Sequence, residues 1–211
     1  MVRPMTKPRT VTVSATGKSA AVPDQLTVSL GVQVRGATAQ EALSRTSEKT
    51  QAAITAFKSG GVADQDIATA NITIRPEYGE DGRRVEGYQA QNTLSIRLRE
   101  IAGAGGLLDT VAGVVGDDIV INGLSFAISE PEPVLAAARA AAMAGAREKA
   151  KQLAGAAGAK VGKVLTIEEG GTGGVVFPKA GRMAMAVADS MPIEAGEREL
   201  TVSVSVTYRL E

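Results

Sequence analysis

The chain of 211 residues contains no cysteine and no histidine. Those two absences exclude more chemistry than any motif present. A disulfide framework, a thiolate nucleophile, a Ser-His-Asp triad and an ordinary zinc site each need a soft ligand or a base that titrates near neutral pH. Acid/base work would fall to Asp, Glu, Lys or Tyr. Aromatic residues make up only 3% while hydrophobic residues reach 44%, so the interior is expected to consist of Val, Ile, Leu and Ala. Net charge is missing as well, because 23 basic and 23 acidic side chains balance to zero. No global field draws in nucleic acid or an anionic membrane, and no nucleic-acid partner is expected. The opening "MVRPMTKPRT" lacks the apolar run of a secretory signal, and the most apolar helix, "PVLAAARAAAMAGA", is short and carries Arg139 in its middle. No membrane-spanning segment is expected. As written the chain reads as soluble and unexported, although a chain shorn of its leader would read the same.

What is present is alternation. In "RELTVSVSVTYRLE" the residues Leu200, Val202, Val204, Val206, Tyr208 and Leu210 alternate with Thr201, Ser203, Ser205, Thr207 and Arg209. A period of two marks a strand with one buried and one polar face. The pattern recurs at Leu26 to Val34, at Leu94, Ile96 and Leu98, and at Leu124, Phe126 and Ile128. Shorter strands are predicted at Thr10 to Thr16, Ile72 to Tyr78 and Val161 to Glu168. Asp81-Gly82 supplies the turn of a hairpin between strands ending near Tyr78 and beginning near Val85. One-sided strands of this kind argue for antiparallel sheets, since parallel strands covered on both faces read as continuous apolar runs.

Three helices fit between the strands. The first runs from about Thr38 to Lys58 with Ala42, Leu43, Ala53, Ile54 and Phe57 on its stripe and a polar, solvated middle. The second spans roughly Gly103 to Val115. The third runs from about Val134 to Ala157, with Pro133 in the first turn, Leu135, Ala138, Ala142, Ala146 and Leu153 facing inward, and Arg139, Arg147, Glu148 and Lys151 on the wet face. The fold class expected is α+β, mostly antiparallel sheets with about three helices packed on one face. A strand leading into a helix that ends at Gly61, and another at Gly158, echo each other as two related half-units.

The chemical motifs mostly fail their tests. "EGGTGGVVFP" (169–178) looks like a phosphate-cradling loop, but its glycines lead into Val175, Val176, Phe177 and Pro178 rather than into a helix opening with Lys and Ser or Thr. It reads as a connection. The carboxylate pairs are Asp64/Asp66, Glu80/Asp81, Asp117/Asp118 and Glu168/Glu169, and Thr69 stands where a calcium loop beginning at Asp64 needs glycine. They read as solvated turns, with no metal, cofactor or catalytic residue expected. Tyr78 and Tyr88 read as a cross-strand aromatic pair, and Asn92 as a hydrogen-bonding residue at a bulge or sheet edge. The segment "VVFPKAGRMAMAVADSMPIEAGE" is different, for its apolar residues follow no strict period. Val175, Val176, Phe177, Met183, Met185 and Met191 either pack over their own core, dock on another subunit as an assembly arm, or hold a ligand. These six are the candidate oligomer contacts.

Four pieces together resemble the SIMPL-domain family of bacteria: "VSATGKSAAVPDQLTVSLGV", "GYQAQNTLSIRLRE", "INGLSFAISEP" and "MPIEAGERELTVSVSVTY". They stand in family order and cover nearly the whole chain from about Thr10. The resemblance implies a protein of two interlocked lobes that forms large ring-like or channel-like homo-oligomers, usually in the periplasm or cell envelope, with associations to stress tolerance and antigenicity. It supplies no activity, cofactor or catalytic residue. On this basis residues 1–9 are expected to be a disordered tail and 10–211 one SIMPL-like domain, with about 70–130 as an inserted lobe. The expected function is a non-enzymatic self-assembling envelope protein whose partner is itself. A small-ligand or peptide-binding module is the alternative, a carboxylate-, Lys- or Tyr-based hydrolase ranks behind both, and the missing leader keeps a cytoplasmic location open.

Overall fold

The computed structural model describes residues 9–80, 82–170 and 191–211. Residues 1–8 of the expected tail and Asp81 at the hairpin tip lie outside that range. In chain order the elements are β1 (Thr10–Ala21), β2 (Gln25–Gly36), α1 (Ala39–Ser59), β3 (Ile67–Tyr78), β4 (Val85–Leu98), α2 (Ala104–Val115), β5 (Ile119–Ala127), α3 (Glu132–Ala156), β6 (Val161–Glu169) and β7 (Arg198–Leu210). All strand pairs are antiparallel, in a three-stranded sheet of order β1-β7-β6 and a four-stranded sheet of order β3-β4-β2-β5. The fold is α+β, as the alternation implied.

The chain divides into two compact units. The first contains β1, α3, β6 and β7; the second spans Pro23–Ser129 with part of the segment before β7. In the first unit β1 and β7 pair without a register break from Thr10↔Arg209 to Ala21↔Arg198. Val202, Val204, Val206 and Tyr208 are buried beneath α3, and hydroxyls line the other face, where Thr12 bonds Thr207 at 3.0 Å and Thr16 bonds Ser203 at 3.2 Å. The seam of α3 is Ala138, Ala142, Ala146, Ala150 and Ala154. Leu153, expected inside, is 53% exposed. The contact follows the inclined i+4 ridge of the helix, and Leu153 lies off that ridge.

In the second unit Leu26, Val28, Leu30, Val32 and Val34 of β2 and Leu94, Ile96 and Leu98 of β4 form a core with α1 and α2. Two further expectations are corrected here. Thr46 and Thr50, in the supposedly solvated middle of α1, are buried, whereas Leu43 is 43% exposed. Each threonine hydroxyl donates to a carbonyl one turn back, Thr46 to Ala42 and Thr50 to Thr46, both at 2.7 Å, leaving a methyl for the core. Leu124, placed on a buried face by its alternation, is 39% exposed, because β5 is an outer strand. The entry and exit of this unit are tied together. Asp24 accepts from the Ser129 backbone at 2.7 Å and from its hydroxyl, and the Asp24 N–H donates to Ala127 at 3.1 Å.

Candidate functional site

Five of the six proposed contacts, Val175, Val176, Phe177, Met183 and Met185, lie outside the described residues. Met191 is described. It is 46% exposed, and its N–H donates to Asp109 Oδ2 on α2 at 3.4 Å.

Asp81 of the Glu80/Asp81 pair lies outside the described residues, and Asp64 and Asp66 do not act as a pair. Asp64 is exposed and bridges Lys58 at 2.9 Å. Asp66, expected in a solvated turn, is instead buried, and it accepts from Arg99 Nε at 2.8 Å and Nη2 at 3.1 Å while Arg97 stands 3.7 Å away. The one-turn 3₁₀ helix Asp64–Asp66 tucks that side chain under the end of β4, so two adjacent acids have opposite fates. The Arg99 hydrogen bonds hold the Asp66 carboxyl below the usual carboxylate range, against the smaller opposing effect of its own burial. Asp24 is lowered in the same direction, first by the Ser129 hydroxyl and then by the Ser129 N–H. Asp118 bridges Lys49, and Glu169 bridges Arg139 at 3.1 Å. Arg139, assigned to the wet face, thereby ties α3 to β6 through Glu169, and it also reaches Glu132 in its own helix at 3.2 Å. No group of three acids is placed to hold a metal among the described residues.

Tyr78 and Tyr88 are not cross-strand partners. Tyr88 faces Pro76, two positions before Tyr78 in the ladder, and Tyr78, past a register shift after Glu77, faces Val85. Asn92 lies inside the four-stranded sheet, between Val32 of β2 and Ile72 of β3. Its Oδ1 is buried with no partner among the described residues, so the hydrogen bond expected of it is not made by that atom.

Two features invite partners. The first is the outer strands. β3 presents Ile72 at 57% and Ile74 at 43% exposure on the face that α1 covers over β2 and β4, and β6 presents Val164, Leu165 and Ile167 to solvent. Arg75 and Pro76 blunt one end of β3 and a register break between Thr69 and Asn71 interrupts the other, which leaves the short stretch Ile72 to Ile74 between them.

The second is a trough of about 720 Å³ between α3 and β6. Its apolar floor is Met143, Val161, Val164 and Tyr208, and Arg147, Lys151 and Lys160 line it as well. Sequence reading missed it, since Arg147 and Lys151 look like any solvated helix face. Their i, i+4 spacing is the one local signal; the rest is spatial.

Residues 11–208 match the SIMPL family, described as "Protein of unknown function (DUF541)". The "26 kDa periplasmic immunogenic protein" of Brucella melitensis is 33% identical over 221 aligned positions, covering 98% of this chain and 86% of the relative. The "Uncharacterized protein YggE" of Escherichia coli (strain K12) is 27% identical over 209 positions, covering 95% of this chain and 83% of the relative. Neither relative is named as an enzyme. The family match takes in all the elements described above but for the first residue of β1 and the last two of β7, and a third of the residues are shared with a relative along almost the full chain. This chain belongs to the SIMPL family.

Proposed function

We propose that the protein is a non-enzymatic, self-assembling subunit of the cell envelope that builds a ring-like or channel-like homo-oligomer. The observation that carries this reading is the bare aliphatic face of outer strand β3, where Ile72 and Ile74 are 57% and 43% exposed beside unpaired backbone groups. An outer strand with a bare aliphatic stretch is a template for another strand, and a second copy of the chain would satisfy it. The acids with lowered pKa are already engaged by structural partners, Asp66 by Arg99 and Asp24 by Ser129, which favours a scaffold over a hydrolase. A periplasmic setting draws support from the name of the Brucella relative. Val175, Val176, Phe177, Met183, Met185 and Met191 form a second proposed contact.

Native mass spectrometry tests the proposal. The wild-type chain is expected as a multimer at micromolar concentration, and the double variant Ile72→Lys, Ile74→Lys is expected to lower the mass while the far-UV circular dichroism spectrum stays that of a folded chain, because both side chains meet water in the isolated subunit. A strict wild-type monomer would end it. Unchanged mass after removal of residues 175–191 would remove the second contact alone.

A further inference from the structure

We propose that the trough between α3 and β6 binds an anionic amphiphile, a single alkyl chain ending in a carboxylate or phosphate. This goes beyond assembly and does not depend on it. The alanine seam of α3 packs with Val13, Ala15, Val202, Val204 and Val206 of β1 and β7, while from β6 only Val161 joins that cluster, partly buried. The helix therefore leaves the inner side of β6 bare, and Val164 is 44% exposed there. At about 720 Å³ the trough is within the range of small-molecule sites, roughly 300–1,000 Å³. Met143 gives the floor an adaptable, polarizable surface suited to a flexible chain. Ala144, Ala154 and Gly155 in the lining let such a chain lie close to the backbone.

The charge is complementary to an anion. Arg147, Lys151 and Lys160 line the trough, and no carboxylate side chain does. Arg147 and Lys160 form no side-chain ion pair among the described residues, while Lys151 is 3.4 Å from Glu148, and Glu211 lies against Gly162 nearby. A third observation points the same way. Tyr208 lines the trough, and although the residue as a whole is 3% exposed, its hydroxyl is not sealed from solvent and so is available to a ligand there. A head-group oxygen would accept from Tyr208 and from the guanidinium of Arg147, and the alkyl chain would cover Val164. A polyanion such as nucleic acid would waste the apolar floor, and a neutral lipid would leave the cations unused.

The test titrates the full chain by calorimetry with laurate, a lysophosphatidate, dodecanol and dodecylamine, each below its micellar concentration. Saturable binding of laurate or the lysophosphatidate is expected, about tenfold or more tighter than dodecanol, since a charge-assisted hydrogen bond contributes roughly that factor. The preferred head group tells carboxylate from phosphate. Arg147→Glu and Val164→Asp are each expected to weaken binding about tenfold or more, with unchanged melting curves because both residues are exposed. Tyr208→Phe keeps the core and is expected to weaken the anions but not dodecanol. Absence of saturable anion binding would overturn the proposal, as would equal affinity for dodecylamine. Wild-type silence together with a lower native mass for Val164→Asp would reassign the trough to a contact between copies. A monomer that still binds laurate would refute assembly and leave this inference standing.

Discussion

Gly17 and Gly145 face each other's elements across the α3 seam, and adding one methyl group to each should have opposite effects. Gly17 lies in β1 directly under the helix. A Cβ there would lie 2.0 Å from the Ala138 carbonyl oxygen, 2.3 Å from the Ala142 nitrogen and 2.9 Å from the Ala141 carbonyl carbon. All three are backbone atoms, so no side chain can swing away. Ordinary contact begins near 3.4 Å, and α3 would have to retreat by about 1.4 Å to restore it. That retreat would loosen Ala138, Ala142 and Ala146, each now 0% exposed. Overpacking of this kind costs about 1–3 kcal/mol, and contact with backbone alone puts Gly17→Ala at the upper end. Gly145, inside α3, is different: its added Cβ would meet only the Ala15 methyl, at 3.5 Å. Alanine there gains helix propensity and restricts the unfolded chain, so Gly145→Ala should stabilise by about 0.4–1 kcal/mol. At about 2–4 °C per kcal/mol for a chain of this size, the two variants should melt on opposite sides of wild type, about 7 °C or more apart. Far-UV circular dichroism is the assay, because the chain has no tryptophan. A Gly17→Ala variant that melts at or above wild type would refute the close approach of helix and strand.

Two further outcomes follow from buried polar groups. The folded-state pKa of Asp66 is depressed, so its contribution is present above the unfolded carboxylate value of about 3.9 and is lost as pH falls through the lower folded value. Urea midpoints of wild type should therefore fall below about pH 4, and Asp66→Asn should be less stable at neutral pH with a shallower acid decline; parallel curves would refute the role of the Arg99 bond. The unmatched Oδ1 of Asn92 carries a desolvation cost, so Asn92→Leu, of similar shape, should raise stability by about 1 kcal/mol in urea unfolding, and a loss would mean that the amide is satisfied after all.

Strands were legible wherever period and burial coincide. β7 reads correctly from Val202 to Tyr208, where it is the middle strand of its sheet beneath a helix, while Leu200 and Leu210 at its ends are only half-buried. β5 has the same alternation, but at the rim of a sheet Leu124 stays wet, and alternation alone does not say which strand is outermost. The polar middle of α1 was misread for a related reason: Thr46 and Thr50 look hydrophilic in the sequence, yet each returns its hydroxyl to its own helix. Asp64 and Asp66 are indistinguishable as letters and are separated only by where Arg99 arrives. The trough draws on α3, the loop after it, β6 and β7, so no local pattern contains it.

The bare strands have a common cause in how each unit is wired. β2, α1, β3 and β4 form a sheet segment ordered β2-β4-β3; β1, α3, β6 and β7 form one ordered β1-β7-β6. In both, a strand leads, a helix is followed by a hairpin, and the hairpin's second strand pairs with the leader, which pushes its first strand to the outside. Each leader has a glycine where the helix comes close, Gly17 under Ala138 and Gly36 against Ala42. A helix with its side chains is about 10–12 Å wide, and strands are about 4.8 Å apart. One helix therefore roofs two strands and not a third. The strand pushed outside by its hairpin is β3 in one unit and β6 in the other, where Ile72, Ile74, Val164 and Ile167 meet solvent, and β5 is a further outer strand on the far side of β2. Basic residues at the bare strand of the first unit make a trough for an anion, whereas the bare isoleucines of the second favour a strand from another copy. One wiring rule thus leaves two unfinished faces, and the residues around each determine what completes it.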